Sequence, residues 1–202
     1  MSTICVFCAS STAIDARYVE LAGAVGAELA RRGHALVTGG GSVSSMGAVA
    51  REARRGGVRT VGVIPQALVA HEVADLDADE LVVTADMRAR KAEMDRRADA
   101  FLTLAGGLGT LEELFEIWVA RSLGMHDKPI VVLDTDGVYA PLVAQLDLLE
   151  RRGFVRASAR AVVAVARSAP EALDLIEAGL AARVPPAPAP VPSDEELLEA
   201  EP

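Results

Sequence analysis

Short apolar runs alternate along this chain with longer segments whose apolar residues recur every three or four positions. The runs are residues 3–8, 34–38, 59–64, 80–84, 99–104, 129–133 and 161–165, rich in Val, Ile and Leu. Runs of this length with little polar alternation suit strands covered on both faces. Residues 14–32, 45–55, 86–98, 111–123, 139–151 and 170–182 carry helical spacing between them. The alternation predicts an α/β fold: a Rossmann-like, doubly wound, mostly parallel sheet of about seven strands with helices on both faces. Sheets of this kind bind ligands beyond the carboxyl ends of their strands. Two glycine clusters fall at such ends.

The first cluster, Gly39-Gly40-Gly41-Ser42-Val43-Ser44-Ser45-Met46-Gly47, follows the second run. It is not G-x-G-x-x-G and lacks the lysine of a P-loop. Its glycines permit close backbone approach, and its serines suit phosphate donation or helix capping, but a plain tight turn explains it equally well. The second cluster, Ala105-Gly106-Gly107-Leu108-Gly109-Thr110-Leu111-Glu112-Glu113, runs from strand through turn into helix. A helix start there offers unpaired N–H groups and a positive dipole end, a seat for phosphate. Glu113 has two readings that sequence physics leaves tied: a catalytic carboxylate, or the N3 residue of a Thr110–Glu113 capping box.

The helix over residues 86–98 places Met87, Met94 and Ala98 on one face together with Arg90 and Lys91. Long cations often snorkel past a core edge. Two adjacent cations within an apolar stripe nonetheless need anionic partners, which a ligand phosphate and an internal carboxylate would supply.

Composition narrows the setting. The 202 residues are 51% hydrophobic and 24% charged, as expected for one soluble domain, here residues 1–183. Residues 184–202 form a Pro-rich acidic tail, expected to be disordered. The net charge of −9 argues against nucleic acid or an anionic membrane as partner. No apolar run of 18 residues and no leader pattern is present, so the expected location is cytoplasmic. Cys5 and Cys8 lie within an apolar run and read as buried strand residues rather than a redox pair. Three scattered histidines give no metal site, and no metal or cofactor is expected.

Together the motifs resemble the LONELY GUY (LOG) family of nucleotide phosphoribohydrolases, over about residues 3–182. Its paired signatures, P-G-G-x-G-T-x-x-E and M-x-x-R-K, match Ala105–Glu113 and Met87-Arg88-Ala89-Arg90-Lys91. Gly39–Gly41 with Met46-Gly47, Ile64-Pro65, Glu72 and Gly124-Met125-His126-Asp127-Lys128-Pro129 echo it further. Ala105 departs from the usual proline, Ser44-Ser45 from a common Gly-Leu, and Val119 from a common threonine. The resemblance implies hydrolysis of the N-glycosidic bond of cytokinin riboside 5′-monophosphates, and of AMP, to free base and ribose 5-phosphate. It implies Arg90 and Glu113 as the catalytic pair. Glu72, Lys91, Gly106, Gly107, Leu108, Gly109, Thr110, Leu111 and Glu112 would hold the nucleotide, with Gly40, Gly41, Ser42, Met46, Gly47 and Ser10. The family is usually homodimeric. Two other functions fit the same fold: a non-catalytic nucleotide sensor, and a broad 5′-nucleotide nucleosidase serving base salvage.

Overall fold

The computed structural model describes residues 1–69 and 74–183. Seven strands form one all-parallel sheet: β1 (Thr3–Phe7), β2 (Ala35–Thr38), β3 (Thr60–Pro65), β4 (Glu80–Thr84), β5 (Ala100–Thr103), β6 (Ile130–Leu133) and β7 (Val163–Ala166). Their order is β4-β3-β2-β1-β5-β6-β7. The helices are α1 (Ala16–Arg32), α2 (Ser44–Arg55), α3 (Met87–Arg97), α4 (Leu108–Ser122), α5 (Ala140–Arg151), α6 (Ala157–Arg160) and α7 (Ala169–Ala181). The expected Rossmann-like architecture is present, with every strand pair parallel.

Alternate side chains of each central strand feed two separate cores. Ile4 and Val6 of β1 pack with Leu36, Leu102 and Val131 under α1, α2 and α7. Cys5 and Phe7 pack with Val37, Phe101 and Val132 under α3, α4 and α5. The local signals that delimit α1 are visible in the sequence. Asp15 accepts the Arg17 N–H at its start, and Gly33, at φ 74°, closes it by donating to the Leu29 and Ala30 carbonyls.

Chain order reverses between β1 and β5, which lie side by side with Phe7 opposite Thr103. That crevice is the topological switch point of a doubly wound sheet. After the edge strand β4, α3 returns across the sheet, touching β1, β2, β3 and β4, to reach β5. This crossing brings Arg90 of α3 over the carboxyl ends of β2 and β3.

One boundary differs from the sequence expectation with a chemical consequence. Helix α4 begins at Leu108 with Gly107 as its N-cap, three residues before the expected start at Leu111. Thr110 is therefore its third residue, and Glu113 lies in its second turn. The capping-box reading of Glu113 is excluded. The three-residue turn Gln66–Leu68 and the short α6 were also not anticipated.

Candidate active site

A cavity of about 520 Å³ opens at the switch point. Its floor is the end of β1 with Cys8, Ala9, Ser10 and Ser11, and one wall is the turn Ala105–Thr110 leading into α4. Arg90 and Glu113 face it from the opposite side, with Met46 and Met87 beside them.

The α4 end of this cavity is an anion seat built from backbone. Gly107 carries no capping side chain, and the first turn contains no acidic residue. The first intrahelical bond to the cap runs from the Leu111 N–H to the Gly107 carbonyl. The N–H groups of Leu108, Gly109 and Thr110 precede it, at the positive end of a 15-residue helix. Gly106 permits this turn because a Cβ there would lie 2.1 Å from the Thr110 Oγ1.

Arg90 is 5% exposed and Glu113 9% exposed. The Arg90 Nε donates to the Val63 carbonyl and Nη2 to the Gly39 carbonyl, both at 3.1 Å. These two anchors lock the guanidinium plane and leave Nη1 directed at the Glu113 Oε1, 3.6 Å away. Two opposite charges held this close within a poorly hydrated pocket offset part of each other's desolvation. Glu113 also borders a second cavity of about 200 Å³ between α3 and α4, floored by Phe7 and Phe101. The carboxylate thus stands between two voids, with space for a reacting atom on either side.

Several residues implied by the motifs meet at the main cavity: Ser10, Met46, Arg90, Gly106, Gly107, Leu108, Gly109, Thr110 and Glu113. Others are set elsewhere. Lys91 reaches across to α4, where its ammonium binds Glu112 and lies 2.6 Å from the Glu116 carboxylate. It ties α3 to α4 while its neighbour Arg90 turns inward. Leu111 packs partly buried against the α3–α5 side of the sheet. Gly40 and Gly41 hold structure rather than the cavity wall: the Gly40 carbonyl accepts the Asp75 N–H at 2.8 Å, and the Gly41 N–H points at the Met46 Sδ. Ser42 presents its carbonyl to Arg51, and Gly47 packs so closely on that carbonyl that a Cβ would lie 1.8 Å from it. Glu72 and the tail 184–202 lie outside the described residues.

The sequence did not single out Ile14, Tyr18 and Val138, which line the far side of the cavity. Tyr18 is held there by donating to Asp136 at 2.8 Å. Its position in α1, 118 residues from Asp136, leaves no local signal. Ser44 adopts φ 54° at the start of α2, where the family commonly has glycine, and its hydroxyl donates to the Ser11 carbonyl at 2.5 Å. Cys5 and Cys8 are buried free thiols, and burial pushes both well above the ordinary thiol range. Among the described residues no group of three or more His, Cys, Asp or Glu could hold a metal ion, and no helix is long and apolar enough to cross a membrane.

Fold and site together define a doubly wound α/β protein with an acid–guanidinium pair beside a helix start that carries no side-chain cap. A family model described as "Possible lysine decarboxylase" matches residues 46–176. The cytokinin riboside 5′-monophosphate phosphoribohydrolase of Mycobacterium marinum is 50% identical over 177 residues, 88% of this chain and 94% of that one. Its namesake from Mycobacterium tuberculosis is 50% identical over 171 residues, 85% of this chain and 91% of that one. Among solved structures, the molybdenum cofactor binding protein of Rippkaea orientalis superposes with a TM-score of 0.67 at 25% identity, covering 88% of this chain and 96% of that one. The chain belongs to the LONELY GUY family. The decarboxylase description finds no support in the site. The two lysines of the chain are Lys91 and Lys128. Lys91 is held by α4 and Lys128 by Asp95 at 2.7 Å, and neither lines the main cavity.

Proposed function

We propose that this protein hydrolyses the N-glycosidic bond of cytokinin riboside 5′-monophosphates, and also of AMP, releasing the free base and ribose 5-phosphate. The observation that carries the reading is the buried Arg90–Glu113 pair facing the same cavity as the uncapped start of α4. A 5′-phosphate on the Leu108, Gly109 and Thr110 amides places the ribose toward that pair, so binding energy remote from C1′ orients the reacting bond.

As the bond to the base breaks, the ribose ring gains oxocarbenium character. The Glu113 carboxylate stabilises that positive charge and takes a proton of the attacking water as its oxygen joins C1′, while the bonding pair leaves with the base, which takes up a proton from solvent. Arg90 orients Glu113, because its Nε and Nη2 are fixed on the Val63 and Gly39 carbonyls.

We further read residues 1–183 as one catalytic domain, cytoplasmic and homodimeric. Support for the dimer is the apolar outer end of α4 and the turn after it, where Val119, Leu123 and Met125 are 54%, 65% and 74% exposed. Sedimentation of the full chain at micromolar concentration tests that reading, and a monomer defeats it.

The direct test of function is chromatography after incubation with AMP and, separately, isopentenyl-AMP. Free base with ribose 5-phosphate is the expected product, and the rate ratio ranks the N6-substituted nucleotide against AMP. Intact nucleotides combined with saturable binding would return the sensor function instead.

A further inference from the structure

Tyr139 precedes α5 and is 6% exposed, and it does not line the main cavity. Its hydroxyl donates to the Leu104 carbonyl at 2.7 Å, across 35 residues of sequence. The Gly106 N–H approaches the same oxygen. These two backbone groups flank Ala105, the residue at which the chain leaves β5 for the anion seat. Ala105 does not fix its own backbone angle as a proline would. One side chain therefore pins the strand side of the turn at its least constrained point and borders the other.

The turn passes any displacement on. Gly106 packs against the Thr110 side chain, with a Cβ position only 2.1 Å from the hydroxyl oxygen, and Gly107 caps the helix. A shift at Leu104 or Gly106 therefore moves the Leu108, Gly109 and Thr110 amides relative to Glu113 on the same helix. Tyr139 is itself held firmly. Asp134 accepts the Gly137 N–H at 2.9 Å in the preceding turn, and the ring lies beside Leu114, Val132 and Leu146. Burial pushes the phenol up to about 12, so the hydroxyl keeps its proton throughout the neutral range.

We propose that the Tyr139 hydroxyl is a positioning group for the phosphate seat, holding the Leu104–Gly106 turn so that the α4 amides converge on one anion. The inference rests on the reading that the 5′-phosphate binds at that helix start.

Tyr139→Phe keeps the ring and removes the hydrogen bond to the Leu104 carbonyl together with the oxygen that the Gly106 N–H approaches. In this variant we expect KM for AMP and the inhibition constant of inorganic phosphate to rise together, by about five- to tenfold, with kcat within about twofold. Leu146→Ala is the control, because it loosens packing beside the ring and leaves the hydroxyl in place. Unchanged constants in Tyr139→Phe overturn the proposal, as does an equal rise in Leu146→Ala. Amide exchange in the unaltered protein gives a reading independent of any variant: the Gly106 N–H should be protected relative to that of Gly107, and equal exchange overturns the hold on Gly106. Failure of inorganic phosphate to inhibit the unaltered enzyme would instead remove the phosphate seat itself, a result told apart because no variant enters it.

Discussion

Gly39-Gly40 after β2 and Gly107 with Gly109 after β5 both lie where the chain turns from a strand into a helix, and these glycines do opposite things. At the first end the space beside the backbone is filled by protein. A Cβ on Gly39 would lie 1.8 Å from the Arg90 Nη2, and one on Gly40, at φ 78°, would lie 3.1 Å from the Ile64 Cβ. At the second end, Cβ atoms on Gly107 and Gly109 would meet nothing within 4 Å, and both residues line the cavity. One cluster is glycine because an internal arginine needs the room; the other leaves room at an exposed helix start that a ligand can enter. Composition does not separate the two. What separates them is α3, which crosses the sheet and delivers a guanidinium to only one of them.

The largest effect tests the residue that makes the second end chemical. Glu113→Gln keeps the shape and removes the charge, and kcat should fall about 1,000-fold with nucleotide affinity changed only a fewfold. Single-turnover assays with equilibrium binding measure both quantities, and wild-type turnover would dismiss Glu113 as the carboxylate. Next in size is Gly39→Ala. The new methyl displaces the guanidinium from the Gly39 carbonyl and turns Nη1 away from Glu113. Overpacking of this kind costs about 1–3 kcal/mol of stability, and kcat should drop about 100-fold, on the scale of one lost electrostatic contact. Urea denaturation with steady-state kinetics tests it. A stable, fully active Gly39→Ala protein would mean that the first cluster does not set the position of Arg90.

Much of this arrangement was readable from the chain, because strands, helices and both glycine turns carry local signals: apolar runs, helical spacing, Asp15, Gly33. The glycine turn at the start of α4 followed from the same signals. Three features did not, each for a physical reason. The start of α4 differs because Gly109 has little helix propensity, while the interior of the helix, anchored through Leu114 and Ile117 in the core, supports a first turn that contains it. Arg90 and Lys91 were assigned one face, yet side chains long enough to choose partners diverged, one toward the carbonyls of β2 and β3 and the other toward two carboxylates on α4. Tyr18 and Tyr139 owe their roles to partners 118 and 35 residues distant, and no window along the sequence contains both ends of either contact.

The smallest predicted effect sharpens the comparison most, because its two parts have opposite signs. Gly109 is the second residue of α4, has no positive φ, and has open space where a Cβ would stand. Gly109→Ala should therefore raise stability by up to about 0.5 kcal/mol, through the helix preference of alanine and the reduced freedom of the unfolded chain. The same methyl projects beside an amide that faces the cavity, so KM for AMP should rise while kcat holds. Gly39→Ala cannot behave this way, since its methyl meets atoms already in place. Thermal denaturation and a substrate titration on the two variants side by side check the contrast. If Gly109→Ala lost stability, the second end would be packed like the first; if its KM were unchanged, the ligand would not approach that amide.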